Sequence, residues 1–143
     1  MKPVMIIDIF GTKRYYIDDK PHREDGPAIE YTNGIKYWYI NGERHREDGP
    51  AIEYPDGSKE WYKNGKLHRE DGPAAEWADG EKEWFTNGKR NRVDGPAIEC
   101  ADGYKEWWIN GKEINLKQII KKHTNGYGPW SASDLAALKL KYL

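Results

Sequence analysis

A 23-residue unit recurs through the middle of this chain, and its spacing constrains the fold more than any residue within it. Counted from the Gly-Pro-Ala step, the copies span 26–48, 49–71, 72–94 and 95–113, the last cut short. Residues 3–25 align as a worn copy, with Gly11 at the Gly34 position and Tyr15-Tyr16-Ile17 matching Trp38-Tyr39-Ile40. A fixed short period makes each unit a small supersecondary element that buries its apolar side only against its neighbours. Chains of this kind present surfaces rather than enclosed reaction vessels.

One unit can be read in detail. In the copy 49–71, Pro50-Ala51-Ile52-Glu53-Tyr54 is a short extended run, Pro55-Asp56-Gly57 reverses the chain, and Ser58-Lys59-Glu60-Trp61-Tyr62 runs back. Pro presets the first dihedral of such a loop, and Gly57 takes the left-handed position of a bulge, a role shared by Gly34, Gly80 and Gly103. A three-residue loop sets Glu53 opposite Lys59 and Ala51 opposite Trp61. The other copies give Glu30–Lys36, Glu76–Lys82 and Glu99–Lys105, with Ala28, Ala74 and Ala97 opposite Trp38, Trp84 and Trp107. Opposite charges and small-under-large pairs favour that register, whereas a two-residue loop would set Glu53 against Glu60. Asn-Gly at 41–42, 64–65, 87–88 and 110–111 marks a second turn. The expected fold is mainly β, an elongated single antiparallel sheet of stacked hairpins, whose exposed edges natural sheets normally cover.

Residues 114–143 are expected to form a two-helix α-helical cap. Asn115 and Gln118 have capping-box spacing ahead of Leu116, Ile119 and Ile120. The run 124–129 breaks that helix. A second, capped by Ser131 or Ser133, carries Leu135, Leu138 and Tyr142 on one stripe.

Composition bounds the class. Leu, Ile, Val and Phe are scarce, but seven Trp and ten Tyr supply large buried area per residue in their place. The repeats carry a net −5 and the tail +4, too weak a split to imply nucleic acid. The lone Cys100 excludes an intrachain disulfide and reads as a packed side chain at the Tyr31, Tyr54 and Trp77 position. No apolar run approaches the roughly 18 residues of a membrane span, and Met1–Phe10 makes a poor signal peptide. A soluble cytoplasmic protein is expected.

Two rows of side chains stand out. The His-Arg-Glu-Asp runs at 22–25, 45–48 and 68–71 place His22, His45 and His68 in one line. Metal ligands converge from different elements, whereas a repeat-spaced row diverges. The fourth copy, Asn91-Arg92-Val93-Asp94, keeps only Arg and Asp, which suits a structural role. Trp38, Trp61, Trp84 and Trp107 form an aromatic row, and Tyr39, Tyr62, Phe85 and Trp108 the next, sent by alternation to the opposite face. The Trp row reads as the structural spine. The second row is either a further core or an exposed contact strip. No phosphate loop, metal spacing or nucleophile elbow is present, so no catalytic residue and no cofactor are expected.

The period and phrases such as Gly57-Ser-Lys-Glu-Trp-Tyr-Lys-Asn-Gly65 resemble the MORN repeat (membrane occupation and recognition nexus). The closer likeness is to its bacterial and phage variant with Asp-Gly-Pro-Ala and Trp-Tyr-x-Asn-Gly boxes, over residues 3–113. The resemblance implies a non-enzymatic scaffold that binds another protein, in the manner of an antitoxin or immunity protein or a phage inhibitor of a host defence protein. Expected partner-binding residues are Tyr39, Tyr62, Phe85 and Trp108, with Arg46, Arg69 and Arg92 as polar contacts. Neither nucleic acid nor a membrane is an expected partner, and the chain is expected as a monomer or an edge-to-edge dimer. The alternative is a module that binds choline or glycan through its aromatic rows.

Overall fold

The computed structural model describes residues 1–115, whose regular structure is all β-strand. The expected helical cap over 114–143 lies, but for its first two residues, outside the described residues. Three longer or terminal strands come first: β1 (Val4–Ile7), β2 (Lys13–Ile17) and β3 (Lys20–Pro21). Each later unit contributes a hairpin of two-residue strands: Ile29–Glu30 with Lys36–Tyr37, Ile52–Glu53 with Lys59–Glu60, Ala75–Glu76 with Lys82–Glu83, and Ile98–Glu99 with Lys105–Glu106. Following β1 and β2 in that order, and with β3 beside β2, they make one antiparallel sheet of 11 strands.

The turn chemistry explains the hairpins. Tyr54 N–H donates to Ser58 O (3.0 Å) and Gly57 N–H to Tyr54 O (3.1 Å), closing the three-residue loop. Gly57 sits at φ +93°, a conformation that costs a side chain dearly. Asp56 Oδ1 accepts from Ser58 N–H at 2.8 Å, locking the loop from within. Asn64 and Gly65, at φ +50° and +74°, form the twist-matched two-residue turn between Tyr62–Lys63 and Lys66–Leu67. Equivalent second hairpins occur at Tyr39–Ile40/Glu43–Arg44, Phe85–Thr86/Lys89–Arg90 and Trp108–Ile109/Lys112–Glu113. They stack on one another: Gly65 N–H donates to Arg44 O (2.9 Å) and Gly88 N–H to Leu67 O (2.8 Å). Alongside the main sheet, the chain therefore builds a second ribbon of hairpins.

The main register is the one the charges select. Lys13, Glu30, Lys36, Glu53, Lys59, Glu76, Lys82, Glu99 and Lys105 follow one another across successive strands, so every Glu in the row is flanked in register by two Lys. The expected Ala–Trp pair within a hairpin is corrected. Ala51 N–H bonds to Glu60 O (2.8 Å), while Trp61 N–H bonds to Ala74 O of the next unit (2.7 Å). Small-under-large pairing thus joins successive units, as it does for Tyr15–Ala28, Trp38–Ala51 and Trp84–Ala97.

The core is thin. Ala28, Ala51, Ala74 and Ala97 are fully buried, and no large side chain among the described residues is. The Trp38, Trp61 and Trp84 rings are instead roofed by arginine. Arg69 lies 4.0 Å over Trp61; its Nε donates to Asp71 (2.8 Å) and its Nη1 to Pro73 O (3.1 Å) and Glu76 (3.0 Å). Arg46 does the same over Trp38, Arg92 over Trp84, and Arg23 over Tyr15 in the worn copy. A Cβ on Gly72 would sit 3.0 Å from Arg69 Cζ. The Asp-Gly-Pro-Ala box is thereby explained residue by residue: Asp fixes the guanidinium, Gly makes room, Pro offers its carbonyl, and Ala receives the Trp strand.

Candidate functional site

Because Lys59 and Glu60 alternate along one strand, the charge row with its Trp–Arg stacks lies on one face, and Glu60 on the other. On that second face the units from residue 49 onward each carry a carboxylate framed by aromatic rings. Tyr54 and Tyr62 donate their hydroxyls to the two oxygens of Glu60, both at 2.7 Å. Arg44 of the preceding unit donates to Tyr62 Oη (3.1 Å) and lies 5.0 Å over its ring. In the next unit Trp77 Nε1 donates to Glu83 at 3.3 Å, and Arg90 Nε to the same carboxylate at 2.9 Å. Arg90 also sits between Phe85 (5.7 Å) and Trp108 (5.4 Å). Then Tyr104 and Trp108 hold Glu106 at 2.9 and 2.8 Å. In the first full unit Tyr37 occupies the carboxylate position and packs against Tyr31 and Tyr39.

Glu60 and Glu83 are each only 8% exposed, and they remain there because every carboxylate oxygen finds a donor. Their neighbours feel them. Burial, then the bond to Glu60, pushes the Tyr62 hydroxyl up to about 12 and the Tyr54 hydroxyl upward for the same reasons. The Trp108 and Tyr104 donors hold Glu106 below the usual carboxylate range.

The fold divides the sequence-predicted set. Tyr39, Tyr62, Phe85 and Trp108 are half-buried on the carboxylate face. Arg46, Arg69 and Arg92 lie on the opposite face, with side chains 22–23% exposed and engaged in the stacks described above. Each pairs there with a carboxylate of the following unit, Arg46 with Glu53, Arg69 with Glu76 and Arg92 with Glu99. The connector aspartates bond to Arg Nε. The histidines brace turns: Nδ1 of His22, His45 and His68 accepts from the backbone N–H of Asn41, Asn64 and Asn87 at 3.0, 3.2 and 3.1 Å. In the fourth unit Asn91 Oδ1 accepts from Asn110 N–H instead, at 2.9 Å. Among the described residues, no group of three or more His, Cys, Asp or Glu side chains is placed to hold a metal ion. Nor, among them, is there a helix long and apolar enough to cross a membrane.

Sequence reasoning missed Glu60, Glu83, Glu106, Arg44 and Arg90. The signal was available in the recurrence of Glu two residues before each second-row aromatic at 62, 85 and 108. Open clefts of about 750, 700 and 640 Å³ repeat between successive connectors on the Trp face, walled by Trp38, Trp61 and Trp84 with their arginines and rimmed by acidic pairs such as Glu47-Asp48 and Glu70-Asp71. No family model and no curated protein matches the chain.

Proposed function

We propose that this is a non-catalytic repeat scaffold of MORN type that binds another protein through its aromatic–carboxylate face. One observation carries the reading: the rings of Tyr54, Tyr62, Trp77, Tyr104 and Trp108 are held in place by bonds to a row of carboxylates. Aromatic anchors fixed before binding lose little conformational entropy on docking, and Tyr, Trp and Arg are the side chains that concentrate interface energy. Arg44 and Arg90 take the polar anchoring role on this face, since Arg46, Arg69 and Arg92 are committed within the fold. An antitoxin, an immunity protein or a phage inhibitor of host defence is the class of scaffold that fits a compact array with a single docking strip. The choline or glycan alternative is disfavoured by the arginines, which already occupy the ring faces of Trp38, Trp61 and Trp84.

Affinity purification from the native host tests the reading. The double change Tyr62→Ala and Phe85→Ala is expected to abolish capture of a partner that the wild-type chain retains, while Lys36→Ala on the other face leaves capture intact. Capture unchanged by the double substitution, in a chain whose circular dichroism melt survives, overturns the assignment of this face.

A further inference from the structure

We propose that β1 is a self-association edge, where two copies of this chain pair strand to strand about a two-fold axis. Val4, Met5, Ile6 and Ile7 are 65, 48, 53 and 54% exposed, so an all-apolar strand is bare on both faces. Ile9 and Phe10 beside it are 93 and 76% exposed. Among the described residues nothing pairs with the outer side of β1. Natural sheets protect such an edge with charge, proline or a cover. The strand at the far end of the sheet, Lys105–Glu106, has a charge at both positions. β1 has none.

The backbone selects the occupant and its register. Asp8 N–H donates to Thr12 O, and Ile6 and Val4 lie opposite Arg14 and Tyr16, so the even-numbered residues turn their polar groups toward β2. Met5 and Ile7 therefore point theirs outward. In an antiparallel pair an outward residue must face another outward residue. Centring the axis on Ile6 sets Met5 opposite Ile7 of the second copy, twice over, and makes four backbone hydrogen bonds with only apolar side chains across them. Centring it on Met5 sets Pro3, which has no N–H, against Ile7. The flanking charges favour the antiparallel arrangement, because it separates the two Lys2 side chains and brings each to the end of the other strand where Asp8 is paired with Arg14, whereas a parallel pairing sets Lys2 beside Lys2. The contact is isologous, so it closes as a dimer and leaves the charged far edges outermost.

Sedimentation velocity on the full chain tests this from about 5 to about 200 µM, the range expected for a small, non-obligate interface. The expected result is a species of twice 16.6 kDa at the upper end. Ile6→Lys, which sets two ammonium groups across the axis, should weaken association at least tenfold with the circular dichroism melt unchanged. Should that variant fail to fold, Ile7→Pro removes an outward donor without touching the β1–β2 bonds and should weaken association likewise. In a Cys100→Ser background, Ile6→Cys should cross-link to itself on oxidation, since residues on the axis face each other. A monomer throughout the range, a dimer indifferent to both Ile6→Lys and Ile7→Pro, or an Ile6→Cys chain that does not cross-link overturns the proposal.

Discussion

On one face of the sheet Arg69 lies over Trp61 and donates to Asp71, Pro73 and Glu76; on the other, Glu60 is held between the hydroxyls of Tyr54 and Tyr62. The first arrangement recurs with the same four partners in Arg23, Arg46 and Arg92, the ring alone changing to Tyr15 in the worn copy. The second changes from unit to unit: Tyr37 replaces the carboxylate, Trp77 and Arg90 serve Glu83, and Tyr104 and Trp108 serve Glu106. Both faces carry the period, but only one holds to its chemistry. Docking each unit on the next requires identical joints, because a misfit at one joint is inherited by its neighbours. A face that recognises something else needs a distinct side chain at each position. The contrast assigns assembly to the Trp–Arg face and sets the carboxylate face apart as the one proposed for recognition.

The largest expected effects break that contrast on the assembly side. Trp61→Ala removes the ring that Arg69 covers and should cost about 3 kcal/mol in urea unfolding, near the lower end for large aromatic truncation since the ring is half-buried. Arg69→Ala leaves Glu76 without its guanidinium and uncovers the ring; about 2 kcal/mol is expected from the lost charge-assisted bonds and stacking. Gly72→Ala is the sharper probe, because it adds a methyl 3.0 Å from Arg69 Cζ and changes nothing else. If the stack is what joins the units, that single methyl should reproduce most of the Arg69→Ala loss. A Gly72→Ala chain as stable as wild type would show that the guanidinium relocates at no cost and would weaken the account of the Asp-Gly-Pro-Ala box.

On the carboxylate face the effects on folding should be smaller and visible in pH. Tyr62→Phe removes one hydroxyl from Glu60 and should cost about 1 kcal/mol, while Arg44 and Tyr54 keep their other contacts. The hydroxyl titrates near 12, above the value of about 10 for free tyrosine. Burial first, and the bond to Glu60 second, favour the neutral hydroxyl, so its contribution to the fold is fully present below pH about 10 and is lost as pH rises toward 12. Ultraviolet titration of tyrosinate should therefore find the last-ionising hydroxyls depleted in Tyr62→Phe, and the variant's stability gap to wild type should close above pH 11 or so. A gap that stays constant through this range would mean that the Tyr62 hydroxyl contributes nothing through its ionisation.

The assembly face was legible in the sequence because its rules are local and repeated. The three-residue loop, the Glu–Lys register and the two aromatic rows all follow from alternation and turn chemistry applied to one unit. What the sequence could not supply was the partner of each backbone group at the ends of two-residue strands. Trp61 has two candidate neighbours of identical type, Ala51 and Ala74, and its N–H pairs with the second because the Ala51 N–H is taken by Glu60 O. The sequence offers Arg46, Arg69 and Arg92 both as structural members of the connector and as polar partner contacts; their commitment to the fold depends on a guanidinium reaching back over a ring eight residues earlier, which no linear spacing rule encodes. Glu60 and Glu83 were overlooked because a carboxylate in a strand reads as solvated until its two tyrosines, or its tryptophan and arginine, are seen to converge on it.

The histidine row gives the smallest and most discriminating test of the idea that repeated positions serve assembly. Nδ1 of His45 accepts from Asn64 N–H, holding the Asn-Gly turn of one unit to the connector of the unit before, while Nε2 reaches Glu47 at 2.8 Å. The fourth unit already makes the exchange, with the Asn91 amide oxygen accepting from Asn110 N–H. If the role of the position is to offer an acceptor, His45→Asn should change stability by no more than about 0.5 kcal/mol, whereas His45→Ala leaves a turn amide without its partner and should cost about 1 kcal/mol. The pair of variants separates the two contacts of the ring. Equal losses in thermal or urea unfolding would place the contribution in the imidazole and its bond to Glu47; a neutral Asn variant beside a destabilised Ala variant would place it in the acceptor, and would show that His22, His45 and His68 brace turns as Asn91 does.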